Sequence, residues 1–204
     1  QVEANFVDAS KPGTEIDESI TSPRIDMRYS HNDQWTSRFS FGRGYRAPLS
    51  FFESDHGILD ASVGFDIQID ELERSSSYDY ALSYEAEALA VTGSLSHTNV
   101  ENLAALDENN AGVPVLTQSE NDASVLVADV ALTWNVRDDL ALMATAENID
   151  YSDEFKSSYG VVPVEQRIVL STDWEFAGWD LYASATWGGS RDLSEYGVPG
   201  SPSF

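Results

Sequence analysis

The sequence predicts an all-β fold: an antiparallel, up-and-down transmembrane β-barrel segment of about eight strands, with long acidic extracellular loops and short periplasmic turns. Three observations predict it. Apolar and polar side chains alternate along successive stretches, which places them on opposite faces of a strand. Turns of about four residues alternate with connectors of about ten to thirty, as periplasmic turns alternate with extracellular loops. Aromatic residues flank the short turns, namely Tyr29, Trp35, Tyr84, Trp134, Trp174 and Trp179, and rings of this kind favour a membrane–water interface.

Residues 1–9 suit the tail of a strand, and Ser10 to Ser22 reads as an acidic loop around Pro12-Gly13. Ile25, Met27 and Tyr29 then alternate with Arg24, Asp26 and Arg28, and His31 to Gln34 is a short turn. Trp35, Phe39, Phe41 and Tyr45 share one face of the next strand, with Arg38, Ser40, Gly42, Gly44 and Arg46 on the other. At about 3.3 Å per residue and a tilt near 40°, Trp35 to Tyr45 spans roughly 25 Å along a barrel axis, about the apolar height of an outer-membrane barrel. Ala47 to Arg74 is a long connector with a short alternating piece at Phe65–Ile69. Three hairpins follow. Tyr78 to Tyr84 returns as Leu89 to Leu95, Leu126 to Trp134 as Leu140 to Ala146, and Ile168 to Trp174 as Trp179 to Trp187. Residues 150–162 read as a polar connector.

Gly42-Arg43-Gly44-Tyr45-Arg46-Ala47-Pro48 resembles the Gly-x-Gly-(Phe/Tyr)-Arg-Ala-Pro segment of TonB-dependent outer-membrane receptors. The likeness continues in Pro163-Val164-Glu165-Gln166-Arg167 and in Trp187-Gly188-Gly189-Ser190-Arg191-Asp192-Leu193 with Tyr196-Gly197, so it runs from about Pro23 to Gly197. The family joins an N-terminal plug and its TonB-contacting segment to a barrel of about 22 strands. The resemblance implies that residues 1–204 are the C-terminal part of that barrel domain, with no plug within them. It implies residence in the bacterial outer membrane, among its lipid and lipopolysaccharide. It further implies TonB-dependent uptake of a large, scarce extracellular solute: a ferric siderophore, haem, cobalamin or a glycan. Arg46, Glu165 and Arg167 match wall and plug-packing positions, and Arg38 joins them on the polar face lining the lumen.

Composition narrows the alternatives. Thirty-five acids against eleven lysines and arginines give a net charge of −24, which opposes nucleic acid as a partner. The 42% apolar content opposes disorder, and no apolar run is long enough for a membrane helix. The lack of cysteine removes disulfides, thiolate metal sites and thiol nucleophiles. Residues 47–74 hold seven acids and one base, and residues 103–123 hold four acids and none.

No catalytic constellation stands out, so an enzyme is not expected. His31, His56 and His97 have no metal-ligand spacing, and Gly42-x-Gly44 lacks the helix and Lys-Ser/Thr of a phosphate loop. Glu53, Asp55, His56 and Asp60, following Phe51-Phe52, form the best ligand-facing cluster. Their carboxylates offer oxygens for Ca²⁺, and a solvated acidic loop is the alternative. Arg43 interrupts the apolar face near its outer edge, where its side chain reaches lipid headgroups. Two other readings stay open. One is a self-contained eight-stranded outer-membrane barrel with an adhesive or structural role. The other is a secreted soluble β-sandwich that binds a ligand.

Overall fold

The structure, a computed structural model, describes residues 2–5, 15–46, 66–108, 114–159 and 164–190. Two short strands, β1 (Val2–Asn5) and β2 (Glu15–Glu18), pair with each other. Glu15–Glu18 is therefore a strand, where the sequence read only loop. Next come β3 (Arg24–Ser30), β4 (Trp35–Arg46), β5 (Asp66–Ile67), β6 (Glu73–Glu85) and β7 (Leu89–Glu101). After β8 (Ala104–Glu108) and β9 (Pro114–Gln118) come the long strands β10 (Ala123–Arg137) and β11 (Leu140–Tyr151). The helix α1 (Asp153–Tyr159) precedes the last hairpin, β12 (Gln166–Phe176) and β13 (Trp179–Gly188).

Eight of these strands make one antiparallel sheet in the order β13-β12-β11-β10-β7-β6-β4-β3, so each long strand lies beside its neighbour in sequence. The edge strands β3 and β13 do not pair, and the sheet is an open wall rather than a closed eight-stranded barrel. Its short turns are set by local chemistry. Asn32 Oδ1 accepts from the backbone N–H of Gln34 and of Trp35, both at 2.9 Å, an Asx turn that reverses the chain. Ala177 and Gly178 have φ of 53° and 83°, the left-handed pair of a two-residue type I′ hairpin.

The opposite ends of the strands are built differently. β5, β9 and β8 form a separate three-stranded sheet in which β5 runs parallel to β9. With α1 it caps the wall, and here lie the most deeply buried residues among those described: Ile69, Leu72, Leu103, Ala104, Leu116 and Ala123. The connectors read from sequence as polar thus contain a small core. Ser152 starts α1 by accepting the N–H of Phe155 at its hydroxyl, 3.2 Å away.

Candidate functional site

One face of the wall is apolar and uncovered. Large side chains such as Ile25, Met27, Val130, Leu170 and Trp179 are at least half exposed on it, and among the described residues no second sheet packs over them. A water-soluble sandwich buries such a face, because large contiguous apolar patches on soluble proteins are rare. Cross-strand ring pairs lie on it: Trp35 against Tyr84 at 4.9 Å and Phe41 against Tyr78 at 5.0 Å.

The registers fix how this face is inclined. From Tyr29, the row of paired residues runs through Ser37, Leu82, Gly93, Val130, Ala146 and Ile168 to Trp187. Trp179, at the short turn of that last strand, lies eight residues beyond Trp187. The short-turn aromatics thus drift by eight residues over seven strand intervals. At about 3.3 Å per residue and 4.8 Å per strand, the line joining them makes an angle of about 38° with the hydrogen-bond rows. Strand tilt in membrane barrels is about 35–45°. Along the normal to that line each residue rises about 2.6 Å, since 3.3 Å is multiplied by the cosine of 38°.

Tyr29, Trp35, Tyr84, Trp134, Trp174 and Trp179 all lie on this face within three residues of a strand end at the short turns. Eight residues higher, on the same face, the side chains become polar on most strands: Arg43 above Trp35, Ser76 above Tyr84, His97 above Leu89, Asn148 above Leu140 and Gln166 above Trp174. At 2.6 Å per residue the apolar belt between is about 21 Å tall.

The other face is lined by hydroxyls and a few charges. Ser77 and Thr98 lie 2.9 Å apart, Thr92 donates to Ser83 at 3.0 Å, and Ser96 donates to Asp79 at 2.5 Å. Ser94 donates to Asp129, and Arg167 pairs with Glu147 at 2.5 Å. Arg24 pairs with Asp26 at 2.9 Å. Arg28 and Arg38 sit directly opposite each other, and neither has a carboxylate partner among the described residues. Like charges in register destabilise a strand pair.

At the capped end Glu73 is 3% exposed. It pairs with Arg46 and accepts the N–H of Ala104 at 2.9 Å, so strand β4 is tied to the cap through one carboxylate. Gln118 binds the cap from inside. Its oxygen accepts from the N–H of Asp70 and Glu71, both at 3.2 Å, and its nitrogen donates to the carbonyls of Glu71 and Asn102 at 2.8 and 3.1 Å. Lys156 of α1 reaches Glu165 at 2.8 Å, and Glu165 holds its ammonium above the ordinary lysine pKa.

Of the residues singled out from sequence, Arg46 and Arg167 therefore pair with Glu73 and Glu147 on neighbouring wall strands, and Glu165 pairs with Lys156 of α1 in the cap. Arg38 has Arg28 opposite it on one side and Ala81 on the other. Glu53, Asp55, His56 and Asp60 lie outside the described residues. Among the described residues no group of three or more His, Asp and Glu is placed to hold a metal ion. Glu73 and Gln118 went unnoticed as site residues, because only the fold brings them against Ala104 and Asn102.

A family model described as TonB dependent receptor-like, beta-barrel, matches residues 2–204. A search of curated proteins finds no match. Among solved structures, the siderophore receptor PiuA of Acinetobacter baumannii is similar at TM-score 0.65 and 14% identity, over 99% of this chain and 31% of that one. A point variant of the ferric enterobactin receptor PfeA of Pseudomonas aeruginosa is similar at TM-score 0.64 and 13% identity, over 88% of this chain and 28% of that one. The FrpB iron transporter of Neisseria meningitidis is similar at TM-score 0.64 and 13% identity, over 89% and 29%. The chain thus spans less than a third of each of these proteins.

Proposed function

The chain belongs to the TonB-dependent receptor β-barrel family, and from that premise we propose that it is one part of the wall of a receptor that imports a large, scarce solute across the bacterial outer membrane. The observation that carries this reading is the inclined aromatic line with an uncovered apolar belt above it. The short turns then face the periplasm, the capped end faces outward, and the belt meets lipid and lipopolysaccharide. Tyr29, Trp35, Tyr84, Trp134, Trp174 and Trp179 form the periplasmic girdle. The hydroxyl-lined face borders the lumen that a plug occupies in the whole receptor, where TonB delivers the energy for uptake. Arg38, with Arg28 opposite and no wall acid between them, is suited to an acidic side chain of that plug. Arg46 and Arg167 hold the wall itself in shape, and Glu165 ties the capping helix to it.

The cargo is a ferric siderophore, haem, cobalamin or a glycan. The similar structures, which include siderophore receptors and iron and copper transporters, favour an iron or metal chelate. The test is uptake by the whole receptor in cells with and without TonB, offering a radiolabelled ferric siderophore, haem, cobalamin and an oligosaccharide in turn. Uptake of one of them that vanishes without TonB is expected. Equal uptake in both strains would overturn the assignment.

A further inference from the structure

The apolar belt is interrupted by a hollow of about 560 Å³ on its outward side. Gly93, Ala128 and Ala146 lie low in it, one on each of three adjacent strands, with Val130 standing between Gly93 and Ala146 and Leu95 beside Ala128. Tyr80 bounds it on one side, and Ile168 and Trp187 on the other. Asn148 and Gln166 close its upper edge.

The glycine in the floor is informative. Gly93 has no positive φ, and a Cβ built on it would approach only the carbonyl oxygen of Asp129, at 4.0 Å. Neither backbone conformation nor crowding calls for glycine there, and glycine in a strand interior costs roughly 0.5–1 kcal/mol relative to alanine. A strand glycine without a backbone reason marks a place where something else comes close.

The height of the hollow says what comes close. Counting from Leu89 and Leu140 at the short turns, Gly93 lies about 10 Å and Ala146 about 16 Å above the aromatic line, and Asn148 and Gln166 about 21 Å. The hollow therefore occupies the outer half of the belt, with its two amides at the polar boundary. Gln166 Nε2 donates to Asn148 Oδ1 at 3.4 Å, a long contact. It leaves Asn148 Nδ2 and Gln166 Oε1 with no side-chain bond among the described residues, and neither residue is buried.

We propose that this hollow is a binding site for one acyl chain of an outer-leaflet lipid, with the chain's linkage carbonyl meeting the amides of Asn148 and Gln166. The proposal rests on the outer-membrane reading above. In hydrocarbon there is no water to expel, so selection comes from close packing and hydrogen bonds. A chain that drops over Ala128 and Ala146 between Val130 and Trp187, with its end over Gly93, supplies the first, and the amides supply the second.

The test uses the whole receptor, reconstituted in phosphatidylethanolamine nanodiscs, released into mild detergent and weighed by native mass spectrometry. Gly93→Val fills the floor with a residue that favours strands, so folding is retained. The wild type is expected to hold one more phospholipid than Gly93→Val. Replacing Asn148 and Gln166 by leucine lowers retention of that lipid roughly fivefold to tenfold, the worth of two hydrogen bonds in a membrane. Equal lipid counts in wild type and Gly93→Val would overturn the proposal. So would a dimer that Gly93→Val converts to monomer, since a second copy would then fill the hollow. A receptor that stays monodisperse without detergent would instead defeat the membrane reading itself.

Discussion

An arginine scan along β10 tests the two faces and the height scale together. Counting from Trp134 at about 2.6 Å per residue, Leu132 lies about 5 Å above the aromatic line, Val130 about 10 Å and Leu126 about 21 Å. The apolar band of such a barrel is about 25 Å tall, so Val130 is near its middle. Val130→Arg should cost about 2–4 kcal/mol, and the cost should fall toward about 0–1 kcal/mol at Leu126, with Leu132 between. Ala131 is flanked in register by Thr92 and Thr145 on the hydroxyl-lined face. Ala131→Arg and Thr133→Arg should therefore cost less than about 1 kcal/mol, as a polar surface change does. The assay is a guanidinium titration of the whole receptor in phospholipid vesicles, reading the midpoint at constant slope. Equal costs at Val130 and Ala131, or a maximum at Leu126, would refute the face assignment and the tilt with it.

Other perturbations probe the capped end. Glu73→Ala should loosen the cap by about 1–3 kcal/mol, the penalty of unmaking buried hydrogen bonds, and hydrogen exchange at the Ala104 amide should quicken while β10 and β11 stay protected. Because Glu165 raises the Lys156 pKa above 10.5, the stability from that pair is fully present below the unfolded lysine value and is lost as pH rises through the folded one. Lys156→Met should therefore destabilise the α1 region equally at pH 7 and 9, with the difference from wild type shrinking only as the pH rises past the folded lysine value, in hydrogen-exchange measurements. Millimolar Ca²⁺ should slow proteolysis within residues 47–74 at constant ionic strength, with Glu53, Asp55 and Asp60 as the ligands. An unchanged cleavage rate would leave a solvated acidic loop.

The eight strands of the wall were legible because each carries its own period-two record, as in Leu126, Ala128, Val130, Leu132 and Trp134. The short turns were legible for the same reason, since alternation halts at each of them. The cap was not. β5 has two residues, and β8 and β9 five each, too short for alternation to rise above composition. The seven-residue α1 left only Ser152 before Asp153-Glu154 as an N-terminal signal, inside a stretch that reads as polar connector. The wall partners of Arg46 and Arg167 were hidden because Glu73 and Glu147 are distant in sequence and meet them only through strand register. The hollow at Gly93 needs three registers at once, so one strand cannot reveal it.

The stagger from Tyr29 to Trp179 also sets a bore. Tilting a strand by about 38° widens its share of the circumference from 4.8 Å to about 6.1 Å. Carried round the roughly 22-strand wall of the proposed receptor, that would give a perimeter near 134 Å and a backbone diameter near 43 Å. Side chains on the inner face narrow this, yet the opening left is far wider than any chelate or vitamin. An unobstructed hole of that size would let periplasmic contents escape and toxins enter. It is also about the width of a folded domain of roughly 150 residues, whose radius of gyration is about 15 Å. In the proposed receptor an offset of little more than one residue per strand would thus require the gate to be a separate folded body, because no ring of side chains could reach across.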